Sequence, residues 1–388
     1  RVKMLSWLAT FCYSLVQIEE ARNLRDQSLD LLDSPPLIDQ DTRAERAAIL
    51  LGLGQVVAFG TITPQAIQET IQLYEQSLAL YEALHDRWGM AKVMIAFVKD
   101  GRELRDAETI EQWWLQVKEV DRLGRRCEAL CRASGNHAGL ANVLVRLSAN
   151  LLFLKPLDEA LAATDAAVEL CQALDLKDTL LQTTSWRALV LVFQGNYAKA
   201  QAASQAGDVL AHELGNLRYM AEICRTWGLI ALGEKRYDVA QHKLQASLIA
   251  FQEAKNQFHQ DITIAYLGMA EFHLGNVDAA HQHLLSALRL TMTDSPAHVF
   301  LIQSALYLAA LHLIHRAAIG RAIELYGLLS HLWLAGEPRL YYDIVGQYID
   351  AAASALPAVD VATAQERGRT FDLWATAKAM LVELEESP

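Results

Sequence analysis

The side chains able to do chemistry in this sequence are mainly histidines and cysteines. Nine of the twelve histidines fall between residues 242 and 331, and two pairs have ligand-like spacing: His281 with His283, and His312 with His315. On a helix, His312 and His315 share a face, whereas His281 and His283 point to different sides. Cys127 and Cys131 stand four apart, one helical turn, and could open a metal site. No second Cys/His pair at ligand spacing completes it. The stretch "GLGQVVAFG" (52–60) has Gly52 and Gly54 but Val57 where a dinucleotide-binding turn needs its third glycine, and it reads as mid-helix. "HELGN" (212–216) lacks the second histidine of a zinc protease. No phosphate-binding loop, nucleophile elbow or calcium loop occurs. The acid pair Asp158-Glu159 sits at a helix start, where it complements the helix dipole. These residues predict no enzyme, no cofactor and no metal.

Composition sets the class of element that must carry these residues. The chain has 388 residues, 52% of them apolar, with 8 prolines and 20 glycines. That balance favours helix over strand and gives enough apolar surface for a large core. Acidic residues outnumber basic ones 46 to 34, a net charge of -12. Such a surface repels phosphate backbones, and "RLGRRC" (122–127) is too short a basic run to overcome it, so no direct nucleic-acid contact is expected. Five scattered cysteines in a chain of this size fit reduced thiols, hence a cytoplasmic protein. Two stretches imitate membrane signals. The opening "RVKMLSWLATFCYSLV" has no small-residue cleavage site after it. Residues 295–315 carry no Asp, Glu, Lys or Arg, yet include His298, Gln303, His312 and His315 and keep the repeat register described next, which predicts a buried helix and no membrane span.

A forty-residue period organises the chain. Ala160, Ala200, Ala240 and Ala280 anchor it; seven residues later stand Ala167, Gly207, Ser247 and Ala287, and twelve earlier Ser148, Ala188, Gly228 and Gly268. Three residues before each anchor come Leu157, Tyr197, Tyr237 and Val277, and the turn between hairpins repeats as Asn136, Leu176, Asn216 and Asn256. Small residues at fixed offsets let helix axes approach closely, while the larger residue fills the space beside the turn. Gly195 and Gly275 mark the break between helices. One such hairpin cannot bury both its apolar faces, so neighbours must stack. Extending the register outward predicts eight hairpins over residues 1–335, with Thr63 capping and Pro64 opening one helix and the pair Trp113-Trp114 in a longer third hairpin. Ala310 and Ala322 run two residues late. After Pro338 the register is lost, which predicts capping helices over 336–388, the last one capped by Thr370.

The columns, as in Gly228, Tyr237, Ala240 and Ser247, resemble the tetratricopeptide repeat, with an interval of forty where that family has thirty-four. The resemblance implies an all-α fold: a right-handed alpha-alpha superhelix of about eight hairpins with a C-terminal helical cap. Long repeats of this kind also resemble the sensor region of large bacterial signal-transduction ATPases and transcriptional activators, the maltotriose-responsive class included, and the tail "QERGRTFDLWATAKAMLVEL" looks like the ending many of them carry. What this implies is a bacterial regulatory module that senses a partner or ligand; a free-standing scaffold is the alternative. The chain starts without methionine, inside a repeat, which suggests a segment of a longer protein. In such arrays the first helix of each hairpin lines the concave side. The expected groove residues are then Asn142, Gln182, Ser185, Glu222, Arg225, Leu229, Ile262, Met269, Phe272, Ser304 and Tyr307, polar at the entrance and apolar deeper. A protein, a peptide or a small amphiphilic ligand would suit them.

Overall fold

The structure is a computed structural model, and it describes residues 1–14, 17–35, 37–59, 64–100, 110–154, 156–253, 256–292, 299–333 and 337–386. Among these residues there are helices and turns and no strand. The helices are α1 (Val2–Ser14), α2 (Ile18–Leu32), α3 (Arg43–Phe59), α4 (Pro64–Ala83), α5 (Arg87–Asp100), α6 (Ile110–Ser134), α7 (His137–Leu154) and α8 (Leu157–Ala173). They continue with α9 (Lys177–Phe193), α10 (Tyr197–Leu214), α11 (Leu217–Gly233), α12 (Tyr237–Glu253), α13 (Gln257–His273), α14 (Val277–Thr291), α15 (Val299–His315) and α16 (Ile319–His331). Among the described residues α1/α2, α3/α4, α9/α10, α11/α12, α13/α14 and α15/α16 pack as hairpins of consecutive helices, the TPR-like all-α repeat expected from the period. Pro64 opens α4 as expected; Thr63 lies outside the described residues, as does the side chain of Trp113. After Pro338 come α17 (Arg339–Tyr341), a π turn (Tyr342–Gly346), α18 (Gln347–Ala353), α19 (Ala358–Arg369) and α20 (Leu373–Glu386).

The described residues form two compact units. One comprises α1–α5, α6 from Gln116 and α7 up to Leu147. The other comprises the start of α6, α7 from Ser148 and everything that follows, so the helices after Pro338 belong to the same unit as the hairpins before it. In the first unit Ser77 Oγ on α4 donates to the Ala47 carbonyl of α3 at 2.7 Å, and a Cβ on Gly54 would lie 2.4 Å from the Tyr74 ring.

In the second unit several column positions lie at close approaches between helices. A Cβ on Gly207 would stand 3.1 Å from Ile223, the residue through which α11 meets α10. One on Gly228 would stand 2.6 Å from Leu244, and one on Gly268 2.4 Å from Leu308. Ser247 Oγ donates to the Ala221 carbonyl across the α11/α12 hairpin at 2.8 Å. The turn inside each hairpin repeats too: Gly195, Lys235, Gly275 and Ala317 all have a left-handed backbone. At each, that residue's N–H and the next bond back to the helix just ended, as in Lys235 N to Leu232 O (3.0 Å) and Arg236 N to Ala231 O (2.8 Å). Helix α15, from the apolar stretch 295–315, is buried along nearly its whole length. Among the described residues no helix is long and apolar enough to cross a membrane.

One detail of the C-terminal part differs from the sequence expectation. Thr370 ends α19 and does not cap α20; Asp372 Oδ1 does, accepting from Ala375 N at 2.7 Å. The reason is that α19 is fixed by its crossing with α16. There a Cβ on Gly368 would lie 1.8 Å from the Glu324 carbonyl oxygen, and one on Gly327 2.6 Å from that of Gln365. Backbone meets backbone, so neither site has a side chain that could swing aside. Replacing Gly368 with Ala is therefore expected to destabilise the second unit by about 3 kcal/mol, read as a lower midpoint in urea unfolding. Ala317→Gly, which relieves a left-handed alanine, is expected to raise stability by about 0.5–1 kcal/mol.

Candidate functional site

In the second unit the first helices of successive hairpins, α9, α11, α13 and α15, touch in sequence and form one wall. Against this wall lies the segment from Glu337 through α18. The contact is made by side chains of mixed character. Tyr341 is fully buried: its ring stacks on Tyr307 with centroids 4.2 Å apart, lies 5.9 Å from Phe193, and its hydroxyl pairs with that of Tyr266 at 2.8 Å. Tyr197, the large residue beside one repeat turn, donates its hydroxyl to Asp343 at 2.8 Å. Its counterpart forty residues on, Tyr237, meets the Tyr348 hydroxyl at 2.6 Å. His273 Nε2 donates to the Ile344 carbonyl at 2.9 Å; burial lowers this imidazole's pKa, which favours the neutral ring. The π turn at Tyr342–Gly346 fits this docking: a wider helical turn leaves backbone carbonyls available to groups outside the helix. Gly195, in the α9/α10 turn, leaves room for Arg339, whose side chain a Cβ would meet at 2.6 Å.

At the start of the segment a carboxyl is held almost out of water. Glu337 accepts from the Tyr307 hydroxyl at 2.8 Å and from that of Tyr326. Burial pushes its pKa up to about 7, the two phenol donors opposing the rise. His312, on α15 beside His281 with ring centroids 5.1 Å apart, is driven down to about 4, first by burial and then by neighbouring cations. Among the described residues no three His, Cys, Asp or Glu side chains converge as a metal site would require.

Of the eleven residues expected to line a groove, Asn142 lies in the first unit, half-buried, its amide donating to Ala138 O at 3.0 Å. The other ten are in the second. Leu229, Ile262, Met269, Ser304 and Tyr307 are buried, so the deeper positions are enclosed and not an open apolar wall. Close packing of the first helices encloses most of them, and Tyr341 covers Tyr307. Ser185 is buried and bonds to the Leu181 carbonyl at 3.0 Å. Phe272 is half-buried, edge-on to His315. Gln182 and Glu222 are half-buried. Glu222 accepts from Arg218 Nε at 2.9 Å and faces His259 Nε2 at 3.5 Å. Arg225, one turn deeper, is buried with its guanidinium 5.4 Å from the Phe251 ring, and its Nη1 has no hydrogen-bond partner. Burial depresses its pKa; Glu222, Tyr266 and Tyr341 counter this. Sequence reasoning found the wall and missed what covers it. The one available signal was the aromatic density of "RLYYDIVGQY" (339–348), read there only as helix.

No protein family model and no curated protein matches this chain. Solved structures do. The apo form of RapI aligns with 73% of this chain and 94% of its own length, at 12% identity and a TM-score of 0.57. Aspartyl phosphate phosphatase F from Bacillus subtilis (15% identity, TM-score 0.42, covering all of this chain and 93% of its own) and yeast Tom70 (10% identity, TM-score 0.37, 99% and 91%) align more loosely. At 12% identity the likeness to RapI shows the fold alone, a TPR-like helical repeat, and agrees with the repeat columns.

The buried carboxyl gives a pH signature. Its folded pKa lies above the unfolded value, so the folded state holds the extra proton between about 4.5 and 7 and loses that advantage as pH rises through 7. Glu337→Gln, which cannot ionise, is expected to gain stability relative to the parent as pH goes from 5 to 8, with the difference levelling off above 7. Urea unfolding of both proteins across that range measures it; a constant difference would show that the fold does not raise the Glu337 pKa.

Proposed function

We propose that this chain is a non-catalytic protein- or peptide-binding repeat module that serves as the sensing or regulatory part of a bacterial cytoplasmic signalling or transcriptional regulator. The observation that carries the binding reading is the wall of α9, α11, α13 and α15. It holds a helical segment through one buried aromatic ring, a set of tyrosine hydroxyls and a histidine bonded to backbone. This is how a helix is received in a groove, with aromatic anchors for affinity and polar groups for orientation. Gln182 and Glu222 are half-buried on the same wall with Arg225 buried beneath them, and a partner helix or peptide engages the wall there. The non-catalytic reading is supported by where the perturbed groups are. Glu337 is bonded to two tyrosines and His312 packs on a second histidine, whereas an acid or base in use faces a cleft. The regulatory reading rests on the resemblance of the long repeat and of the tail from Gln365 to Leu384.

A photo-crosslinking amino acid placed at Gln182 tests this. Installed in the tagged protein in bacterial cells, it is expected to capture a distinct protein or peptide, and Glu222→Ala with Arg225→Ala is expected to reduce that yield at least tenfold. The same probe at Val209, exposed on α10, is expected to capture nothing in common. Equal products from the two positions, or none from Gln182, would overturn the reading.

A further inference from the structure

Position 225 belongs to a column in which the neighbouring hairpins carry Ser185 and Ala265, both buried. Stacking therefore asks for a small side chain there, and a long cationic one in the same place needs another reason. Arg225 is only 9% exposed and its Nη1 has no hydrogen-bond partner. Among the described residues no carboxylate pairs with its guanidinium. Glu222, one turn earlier on α11, acts on it from a distance but is already taken: it accepts from Arg218 Nε at 2.9 Å and faces His259 Nε2 at 3.5 Å. Arginine keeps its charge in proteins, and a buried charge with no counter-ion costs the fold stability.

The wall is also more open at this point. Helix α11 lies along α9, and α13 along α15, but α11 and α13 approach each other over only a short stretch. Arg225 stands on the α11 side of that seam. Its guanidinium lies 5.4 Å from the ring of Phe251 near the end of α12, and the Tyr266 phenol of α13 is close enough to act on it. Two guanidinium groups and an imidazole thus share one carboxylate, so the seam keeps an excess of positive charge in a chain whose total is -12.

The shape of that excess selects the anion. A guanidinium is a flat fork that matches a carboxylate with two parallel hydrogen bonds. The phenyl and phenol rings beside it admit an apolar skeleton, whereas a phosphate dianion would have to shed much more hydration to enter. The acidic surface of the chain disfavours polyanions as well.

We propose that Arg225 receives the carboxylate of a ligand held on the wall, a single carboxylate carried on an apolar skeleton, as an Asp or Glu side chain of a partner helix or a free organic acid supplies. This site rests on the wall being the binding surface proposed above, and it adds which chemical group that surface reads.

Two probes of the intact chain test it: a phage-displayed library of amphipathic helices, and hydrocinnamate titrated beside its neutral amide. If a partner helix supplies the carboxylate, the selected helices share an acidic residue. Changing that residue to its amide weakens binding to the parent by about tenfold or more, the worth of a hydrogen bond to a charged group, and makes no difference to a chain carrying Arg225→Met. If a free acid supplies it, hydrocinnamate binds the parent, its amide does not, and Arg225→Met abolishes the binding. In either case Arg225→Met is expected to keep or raise the thermal midpoint, because methionine fills similar space without a buried charge. Arg225→Lys keeps the charge but loses the fork, and is expected to retain only part of the binding. Helices that bind equally well with acid or amide, and no response to hydrocinnamate, would overturn the carboxylate site and leave the wall as a binding surface. No binding by any helix or by the acid would overturn both. A lower midpoint for Arg225→Met would show that the cation serves the fold, and would overturn the proposal too.

Discussion

Each hairpin of this chain has an apolar face that only its neighbour can cover, and the distance at which the neighbour sits is fixed by residues without bulk. Gly207 beneath Ile223 sets the approach of α10 and α11, Gly228 beneath Leu244 that of α11 and α12, and Gly268 beneath Leu308 that of α13 and α15. A methyl group at any of them meets a branched side chain held on both flanks, which is why the period is written in small residues while the large positions vary. From these contacts follow the turn geometry, the row of first helices and the burial of α15.

The same contacts explain how much of the molecule can be read from its sequence. Hairpin stacking is local and periodic, so the columns at Ala160, Ala200, Ala240 and Ala280 reveal the helices, their pairing and the left-handed turns at Gly195 and Gly275. Lys235 and Ala317 adopt the same turn without glycine, and the hairpin bonds around them suffice to hold it. The docking of residues 337–353 is not legible in this way, since it joins positions more than a hundred residues apart, as between Tyr197 and Asp343. Periodicity carries no information about such a pairing. The expected groove followed the same pattern: the helices that carry its residues could be read from the register, whereas enclosure of Leu229, Met269 and Tyr307 depends on helices packing across the wall and on Tyr341.

Chemistry and architecture are linked at that wall. Burying Tyr341 against Phe193, Tyr266 and Tyr307 removes water from a region that also contains a carboxyl, several phenols and, one helix away, the Arg225 guanidinium. Each polar group is then either satisfied by a specific partner, as Glu337 is by two tyrosines, or left with an open valence, as Arg225 Nη1 is. An array that can hold a helix in this manner has the means to recognise one: rigid aromatic anchors cost little conformational entropy, and the polar groups around them enforce register.

Amide hydrogen exchange on the intact chain carrying Gly228→Ala tests the dependence of each hairpin on its neighbours most directly. If the faces are buried only by stacking, faster exchange appears in α11 and α12 and also in α9, α10 and α13, which contact them. Faster exchange confined to α11 and α12, with adjoining hairpins unchanged, would contradict the account.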